Sequence, residues 1–559
     1  MEKIWQKHYQ EGVPHEINPS EYSSVVDILV QSCNKYAERP AFASVNTKIT
    51  FKDLNRLSAD FAAFLQKVLG LKKGDRIAIQ MPNLLQYPVV MFGAIRAGLV
   101  VVNINPLYTA REMKHQFVDS GAKAIVILAN FAHNLEEVIA ETDIETVVVT
   151  QLGDLLGWPK SMIINAAVKY VKKMVPPYNL PKAYSFYEAL DLGGEQKLIP
   201  EICSPDDIAF LQYTGGTTGV SKGAMLTHRN ILCNMLQIAA WMRPQLVEGR
   251  EIVITPLPLY HIFSLTVNCL TFMYYGGTNV LVTNPRDIGS FIKLLRKTPF
   301  TILTGVNTLF NSLLHDPEFD QINFKQVKIS VAGGMALQKS VALEWKKRTH
   351  TPLVEGYGLT ESSPVASCNP IDGSDEVGSI GMPLPSTRMQ VIDDNGEPLP
   401  QGQAGELVIY GPQVMKGYWQ RPEETANVIM SDGGLRTGDI AVMNEKGYFK
   451  IVDRLKDMIL VSGFNVYPNE IEDVVASHPK VLEAAAVGVK EDHSGEAVKI
   501  FVVKKDSSLT PEELLDYCRE NLVAYKVPRH IEFRTELPKT NVGKILRRAL
   551  RTENPTPTL

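Results

Sequence analysis

Tyr213-Thr214-Gly215-Gly216-Thr217-Thr218-Gly219-Val220-Ser221-Lys222-Gly223-Ala224 is the stretch on which the reading of this 559-residue chain turns. Ile208-Ala209-Phe210-Leu211 before it reads as a short buried strand, and Thr227 after it caps a predicted helix from about Arg229 to Met242. The dodecamer 213–224 is therefore expected to be a strand-to-helix loop. Its glycines and Ala224 give it little bulk, so backbone N–H groups can approach an anion, while the threonines, Ser221 and Lys222 add hydroxyls and a positive charge. Phosphate fits that inventory best. The spacing is not that of a Walker loop, because Ser221 stands where the glycine before the lysine belongs and Gly223 follows Lys222. Taken alone, the stretch also reads as a Gly/Thr-rich surface turn.

At ~150 residues per domain the length implies two to four domains. A hydrophobic content of 45% and a net charge of −4 describe an ordinary globular chain with no call for a polyanionic partner such as nucleic acid. Cys33, Cys203, Cys233, Cys269, Cys368 and Cys518 are scattered, with no pair at disulfide or zinc spacing, which suits a reducing cytoplasm. Met1 to Gly12 carries charges and no apolar core of a signal peptide. Ile252 to Pro285 contains no charged residue, yet Pro256, Pro258, His261, Asn268, Gly276 and Gly277 interrupt it. What remains falls short of the ~20 residues a spanning helix needs, so a buried helix and strand are expected.

From Met1 to about Pro200, helical segments (Ser24 to Tyr36, Phe51 to Leu69) alternate with aliphatic runs at 76–79, 98–102, 124–127 and 146–149. The alternation resumes at 252–254, 278–282, 301–303 and 328–331, and predicts βαβ units with parallel sheets covered on both faces. Near Arg388 the texture changes to strands at 389–392, 406–410 and 448–452 separated by turn chemistry, which predicts a small antiparallel, barrel-like unit over about 388–453. Beyond Arg454 a compact α+β segment is expected. The fold class is therefore α/β: a large N-terminal domain over 1–453 and a small α+β C-terminal domain over 454–559. Within 155–175, Ile163, Ile164, Ala167, Val168 and Val171 fall on one side of a helix, Lys169, Lys172 and Lys173 on another, with Trp158 and Tyr170 at the boundary. That composition suits a helix lying at a membrane surface, here the inner face of the cytoplasmic membrane, or an amphipathic helix packed on its domain.

Three later stretches bear on the phosphate loop. Tyr357-Gly358-Leu359-Thr360-Glu361-Ser362 places a hydroxyl and a carboxylate after a glycine turn, suited to Mg²⁺ beside a triphosphate. Thr437-Gly438-Asp439 offers a carboxylate able to accept both ribose hydroxyls. Asp453 to Asp457 and Pro538 to Ile545 contribute cations, and Leu522 to Arg551 is strongly basic, as a phosphate-facing or merely solvated surface would be.

In order along nearly the whole chain, YTGGTTGVSKGA, LPLYHIF, YGLTES, GELVIYGPQVMKGYW, TGD, DRLKDMILVSGFNVYPNEIE and PKTNVGKILRR resemble the adenylate-forming superfamily of acyl-CoA synthetases, luciferases and peptide adenylation domains. The resemblance is strongest to bacterial long-chain fatty acid–CoA ligases. It implies activation of a fatty acid by ATP to acyl-AMP, then transfer to CoA, with Mg²⁺ as cofactor. It further implies that Tyr213, Thr214, Gly215, Gly216, Thr217, Thr218, Gly219 and Lys222 face the phosphates, and that Glu361 and Thr214 hold Mg²⁺. Gly333, Gly334, Glu355, Gly356, Tyr357, Gly358 and Thr360 would form the adenine side; Asp439 and Arg454 would be the ribose contacts. By the same resemblance Lys544 is the adenylating lysine, His261 stands between acyl and thiol channels with Tyr260 beside it, Gly463 lets pantetheine pass, and Lys456 is the hinge of a mobile C-terminal domain. Peripheral membrane association follows from the lipid substrate, and a homodimer is compatible with the resemblance. The chain departs from the family at Asp432-Gly433-Gly434-Leu435-Arg436, where a tryptophan usually occupies the position of Gly434; this implies a smaller wall near the nucleotide and acyl region and leaves chain-length preference open. An aryl-CoA ligase, a medium-chain acyl-CoA ligase, a fatty acyl-AMP ligase and a non-catalytic fatty acid binding protein are the alternatives.

Overall fold

A computed structural model describes residues 3–214, 221–461, 464–491, 495–540 and 543–552. Among these, two large and mostly parallel sheets carry the first part of the chain. One runs in the order Tyr184–Ser185, Thr146–Thr150, Ala124–Leu128, Arg76–Gln80, Val100–Asn103, Ile208–Thr214, Lys222–Thr227. The other runs Met382–Pro383, Val365–Cys368, Leu353–Gly358, Ile329–Gly333, Ile302–Gly305, Ile252–Thr255, Thr278–Leu281, Pro40–Ser44, Thr47–Thr50. Their aliphatic strands are buried almost without interruption, as parallel strands covered on both faces must be. Helices start where side chains can satisfy orphan N–H groups: Ser24, Thr50, Thr109 and Thr227 each close a reciprocal capping box.

Lys222–Thr227 corrects the expectation of a strand-to-helix loop. It pairs antiparallel with Ile208–Thr214, Thr214 facing Lys222, so a second strand follows the first and the helix His228–Met242 begins only after it. The pairing is completed from far along the chain. The Lys416 and Trp419 N–H groups donate to the Met225 and Gly223 carbonyls at 3.0 and 2.8 Å, and the Met225 N–H donates to the Gly417 carbonyl at 2.8 Å. Gly215 to Val220 lie outside the described residues.

The charge-free stretch is buried, as expected: a strand at Ile252–Thr255, a helix wound in π geometry at Ser264–Leu270 and continued by Thr271–Tyr274, and a strand at Thr278–Leu281. The unit beyond Arg388 is an antiparallel meander of Arg388–Ile392, Gly405–Tyr410, Leu435–Met443 and Phe449–Arg454. Gly434 has the Tyr410 ring and Val408 as its nearest neighbours, at 2.7 and 2.8 Å from where a Cβ would stand. Tyr410 is itself held by Arg388, 3.6 Å over its ring, and by donation to Asp432. The volume a tryptophan would claim is thus filled by Tyr410, and no candidate site residue is among the nearest neighbours of Gly434.

The remaining sheet orders Phe464–Val466, Ile459–Val461, Gly495–Lys504 and Val481–Glu491, with His530–Arg534 parallel to Gly495–Lys504. Helices Pro468–Ala476 and Pro511–Asn521 close one face over Ile471, Val475, Leu514 and Cys518; Leu550 and Leu537 close the other. The main core ends at Phe449, and these two smaller cores begin at Ile459 and Ala485.

Candidate functional site

Three chain segments converge on Tyr357. The strand Leu353–Gly358 brings Gly356 opposite Gly333, and a Cβ on Gly333 would meet the Phe263 ring at 2.9 Å, so the strand Ile329–Gly333 and the start of the charge-free helix lie in contact. Gly358 is required where it stands, since a Cβ would sit 1.8 Å from the Pro364 carbonyl oxygen. Glu355 is buried with one carboxylate oxygen accepting the Leu337 N–H at 3.2 Å, and burial pushes its pKa up to about 8. The Tyr357 hydroxyl donates to Asp439 at 2.6 Å, and Arg454, the cross-strand partner of Asp439, lies 3.4 Å from its other oxygen. Thr360 opens the single turn Thr360–Ser362 that presents Glu361.

Lys544 reaches this cluster from the C-terminal lobe. Gly543 hands its carbonyl to the Thr308 hydroxyl at 3.0 Å, and the space a Cβ on Gly334 would take lies 3.5 Å from Lys544 Cε. Burial, then the Arg454 charge, lowers the lysine pKa to about 8, while Asp439 and Glu361 oppose that shift. Loss of solvent around His261, then the charge of the same lysine, pushes its pKa down to about 4, so its imidazole is neutral. The structure thus gathers Lys544, Glu361, Asp439, Arg454, Tyr357, Gly333, Gly334 and His261.

Other expected residues are placed differently. Lys222 ion-pairs with Glu424 and lies 5.3 Å from the Tyr418 ring centroid. Tyr213 turns its hydroxyl away to Asp119 at 2.7 Å, where Arg421 also pairs, so it braces the strand pair. Lys456 is exposed beside Arg454, and Gly463 lies outside the described residues. Most of the basic tail is paired: Lys526 with Glu470, Arg529 with Glu491, Lys539 with Glu483, Arg547 and Arg551 with Asp457.

Several functional supports are not evident from the sequence. The backbone of LPLYHIF is hung on buried amides and a phenol: Asn83 binds Leu257 and Leu259, Tyr87 donates to the Leu259 carbonyl, and Gln212, held by Asn103, donates to the Tyr260 carbonyl at 2.6 Å. Their signal is polar side chains inside otherwise apolar runs. Tyr418 is another; its hydroxyl donates to Glu361 at 2.7 Å. As for Mg²⁺, no group of three or more His, Cys, Asp or Glu side chains that could hold an ion gathers among the described residues. A lone Glu361 carboxylate suits an ion that completes its shell with phosphate oxygens and water.

Along 155–175 the helix Lys160–Ala166 runs into a π turn at Ala167–Val171. Val168 is buried, whereas Trp158, Tyr170 and Val171 are 85%, 70% and 79% exposed. Ile163 and Val171, expected on one apolar side together with Val168, face outward while Val168 packs inward. Among the described residues no helix is long and apolar enough to cross a membrane.

The chain is similar to known proteins in both sequence and fold. The AMP-binding enzyme family matches residues 29–419 and the AMP-binding enzyme C-terminal domain matches 470–544. A long-chain-fatty-acid–CoA ligase of Escherichia coli O6:H1 is 58% identical over 553 residues, covering 99% of this chain and 98% of its own; one from Haemophilus influenzae is 52% identical, covering 99% of each. Among solved structures, ATP-bound MatB from Rhodopseudomonas palustris aligns with TM-score 0.80 and 27% identity over 94% of this chain and 98% of its own. An anthranilate CoA ligase in complex with anthranoyl-AMP aligns at TM-score 0.85 and 24% identity, over 96% and 99%, a likeness of fold.

Proposed function

The chain belongs to the AMP-binding enzyme family, and we propose that within it this protein is an ATP-dependent, AMP-forming long-chain fatty acid–CoA ligase. A fatty carboxylate oxygen attacks the α-phosphorus of ATP and pyrophosphate leaves; the CoA sulfur then attacks the acyl carbonyl, AMP leaves, and the thiol proton is released. The first step spreads negative charge over the phosphate, which the Lys544 ammonium is placed to stabilise; removing one such preorganised contact typically costs roughly 10²–10³ in rate. Glu361 and Thr214 would hold Mg²⁺, which would neutralise triphosphate charge when bound. Tyr357 and Asp439 orient the nucleoside, and the glycine-threonine stretch of residues 213–222 receives the phosphates. Lys222 exchanges Glu424 for them on binding. The neutral His261 separates the acyl from the thiol side, with the apolar 262–273 segment along the acyl chain, each buried CH₂ contributing ~0.8 kcal/mol.

Domains divide at 453/454 with Lys456 as the hinge, a reading supported by the separate cores on either side. The outward-facing Trp158, Tyr170 and Val171 beside Lys169, Lys172 and Lys173 support peripheral contact with an anionic bilayer from the cytoplasmic side. The observation that carries the function is the placement of the half-buried Lys544, from the C-terminal lobe, with its Cε 3.5 Å from where a Cβ on Gly334 would stand and within electrostatic reach of Arg454, Asp439 and Glu361. CoA-thioester formation across a saturated acyl series, with coumarate as the aryl comparator, tests it. Activity rising toward long chains is expected; preference for coumarate, or acyl-AMP without thioester, would overturn it.

A further inference from the structure

Arg547 stands three residues after Lys544, at the start of the helix Arg547–Thr552. Its guanidinium is mostly buried and shared among three parts of the chain. Nη2 pairs with Glu472 at 2.6 Å, where Nε also donates at 2.9 Å, and Nη2 reaches the Asn469 amide oxygen; both partners lie on the helix Pro468–Ala476 of the C-terminal lobe. Nη1 lies 3.4 Å from Asp457 and 3.6 Å from Asp453. Asp453 is on the other side of the hinge, in the strand Phe449–Arg454 paired with Leu435–Met443, and its side chain is fully buried. It also accepts the Asn469 N–H at 2.8 Å.

The contacts of Arg547 are therefore of two kinds. Those to Glu472 and Asn469 stay within the C-terminal lobe and are indifferent to its orientation. The contact to Asp453 crosses the hinge and exists only while the lobe faces the site as it does here. The segment between is stiff: the Lys544 N–H donates to the Thr540 hydroxyl at 3.0 Å, the Thr540 N–H to the Lys544 carbonyl at 2.6 Å, and the Leu546 N–H to the Pro538 carbonyl at 2.8 Å. A displacement of Arg547 is thus carried to Lys544. Burial pushes Asp453 up to about 6, with Arg547 as the largest opposing influence.

We propose that Arg547 is a positioning residue that latches Lys544 in the adenylating orientation by bridging the hinge to Asp453. This rests on the reading of Lys544 given above. Turning the lobe for thioester formation breaks the bridge, so the latch favours the first half-reaction alone. The test separates the halves: exchange of labelled pyrophosphate into ATP reports adenylation, and CoA-thioester formation from supplied acyl-AMP reports the second step. Asp453→Asn keeps an acceptor for the Asn469 N–H and removes the charge that Arg547 meets. It should lower exchange about tenfold, the size of one charge-assisted contact, while thioester formation stays the same or quickens. Arg547→Met should lower exchange further, and adding Asp453→Asn to it should cost little more, since both act through one pair. Because Arg547→Met also strips Glu472 and Asp457 of a partner, the milder Asp453→Asn decides should that variant fail to fold. Parallel loss of both halves in Asp453→Asn, or unchanged exchange, would overturn the latch. If the unmodified chain never exchanges pyrophosphate, the ligase reading fails and the latch with it.

Discussion

Because burial lowers the Lys544 pKa to about 8, adenylation should be lost on the alkaline side well before an ordinary lysine, near 10.4, would titrate. The sign follows from the charge: only the ammonium stabilises the phosphate, so activity requires the proton and falls as pH rises through the folded-state value. From pH 7 to pH 9 the protonated fraction drops from about nine in ten to about one in ten, so kcat/KM for ATP in pyrophosphate exchange should fall about tenfold. Glu355, pushed up to about 8 by burial, titrates in the same window, so the unmodified protein alone does not identify the group. Lys544→Arg does. A guanidinium stays charged throughout, so the residual rate of that variant, although roughly 10²–10³ lower, should stay level over the interval. A wild-type profile flat to pH 9.5, or a parallel decline in Lys544→Arg, would refute the assignment of the titration to this lysine.

Lys544→Ala should abolish acyl-AMP formation yet leave supplied acyl-AMP reactive toward CoA, and Lys456→Pro should do the reverse by stiffening the hinge; equal loss of both steps in either variant would contradict the two-orientation scheme. Restoring the family tryptophan with Gly434→Trp should destabilise the protein by roughly 3 kcal/mol, read as a lower Tm, because the Tyr410 ring already occupies the space. Tyr410→Ala in the same chain should recover part of it. Changing Lys169, Lys172 and Lys173 together to Glu should reduce sedimentation with anionic liposomes; unchanged binding would place the membrane contact elsewhere.

The sheets were legible because their central strands are almost wholly buried, so near-continuous aliphatic runs marked them, and Thr227 was legible as a cap because capping is local. The strand Lys222–Thr227 was not. Lys-Gly at its start reads as loop, and the groups that make it a strand belong to Gly417 and Trp419, some two hundred residues on. Separation along the chain also hid the pairing of Tyr418 with Glu361, 57 residues apart, and of Lys222 with Glu424, since nothing in either segment announces the other. Asp439, Arg454 and Tyr357 could be assigned through motifs, but their mutual contact, which leaves the Asp439 carboxylate oriented, is a tertiary fact. Gly434 shows the opposite case: its lost side chain was plain in the sequence, while the Tyr410 ring that fills the gap sits on the neighbouring strand.

Exchange of labelled pyrophosphate into ATP, with Mg²⁺ and a saturated long-chain fatty acid, probes most directly the claim that Lys544 completes an adenylating site with Glu361, Asp439 and Arg454. Exchange that depends on the fatty acid and vanishes in Lys544→Ala is expected; exchange that survives Lys544→Ala, or none with any carboxylic acid, would contradict it.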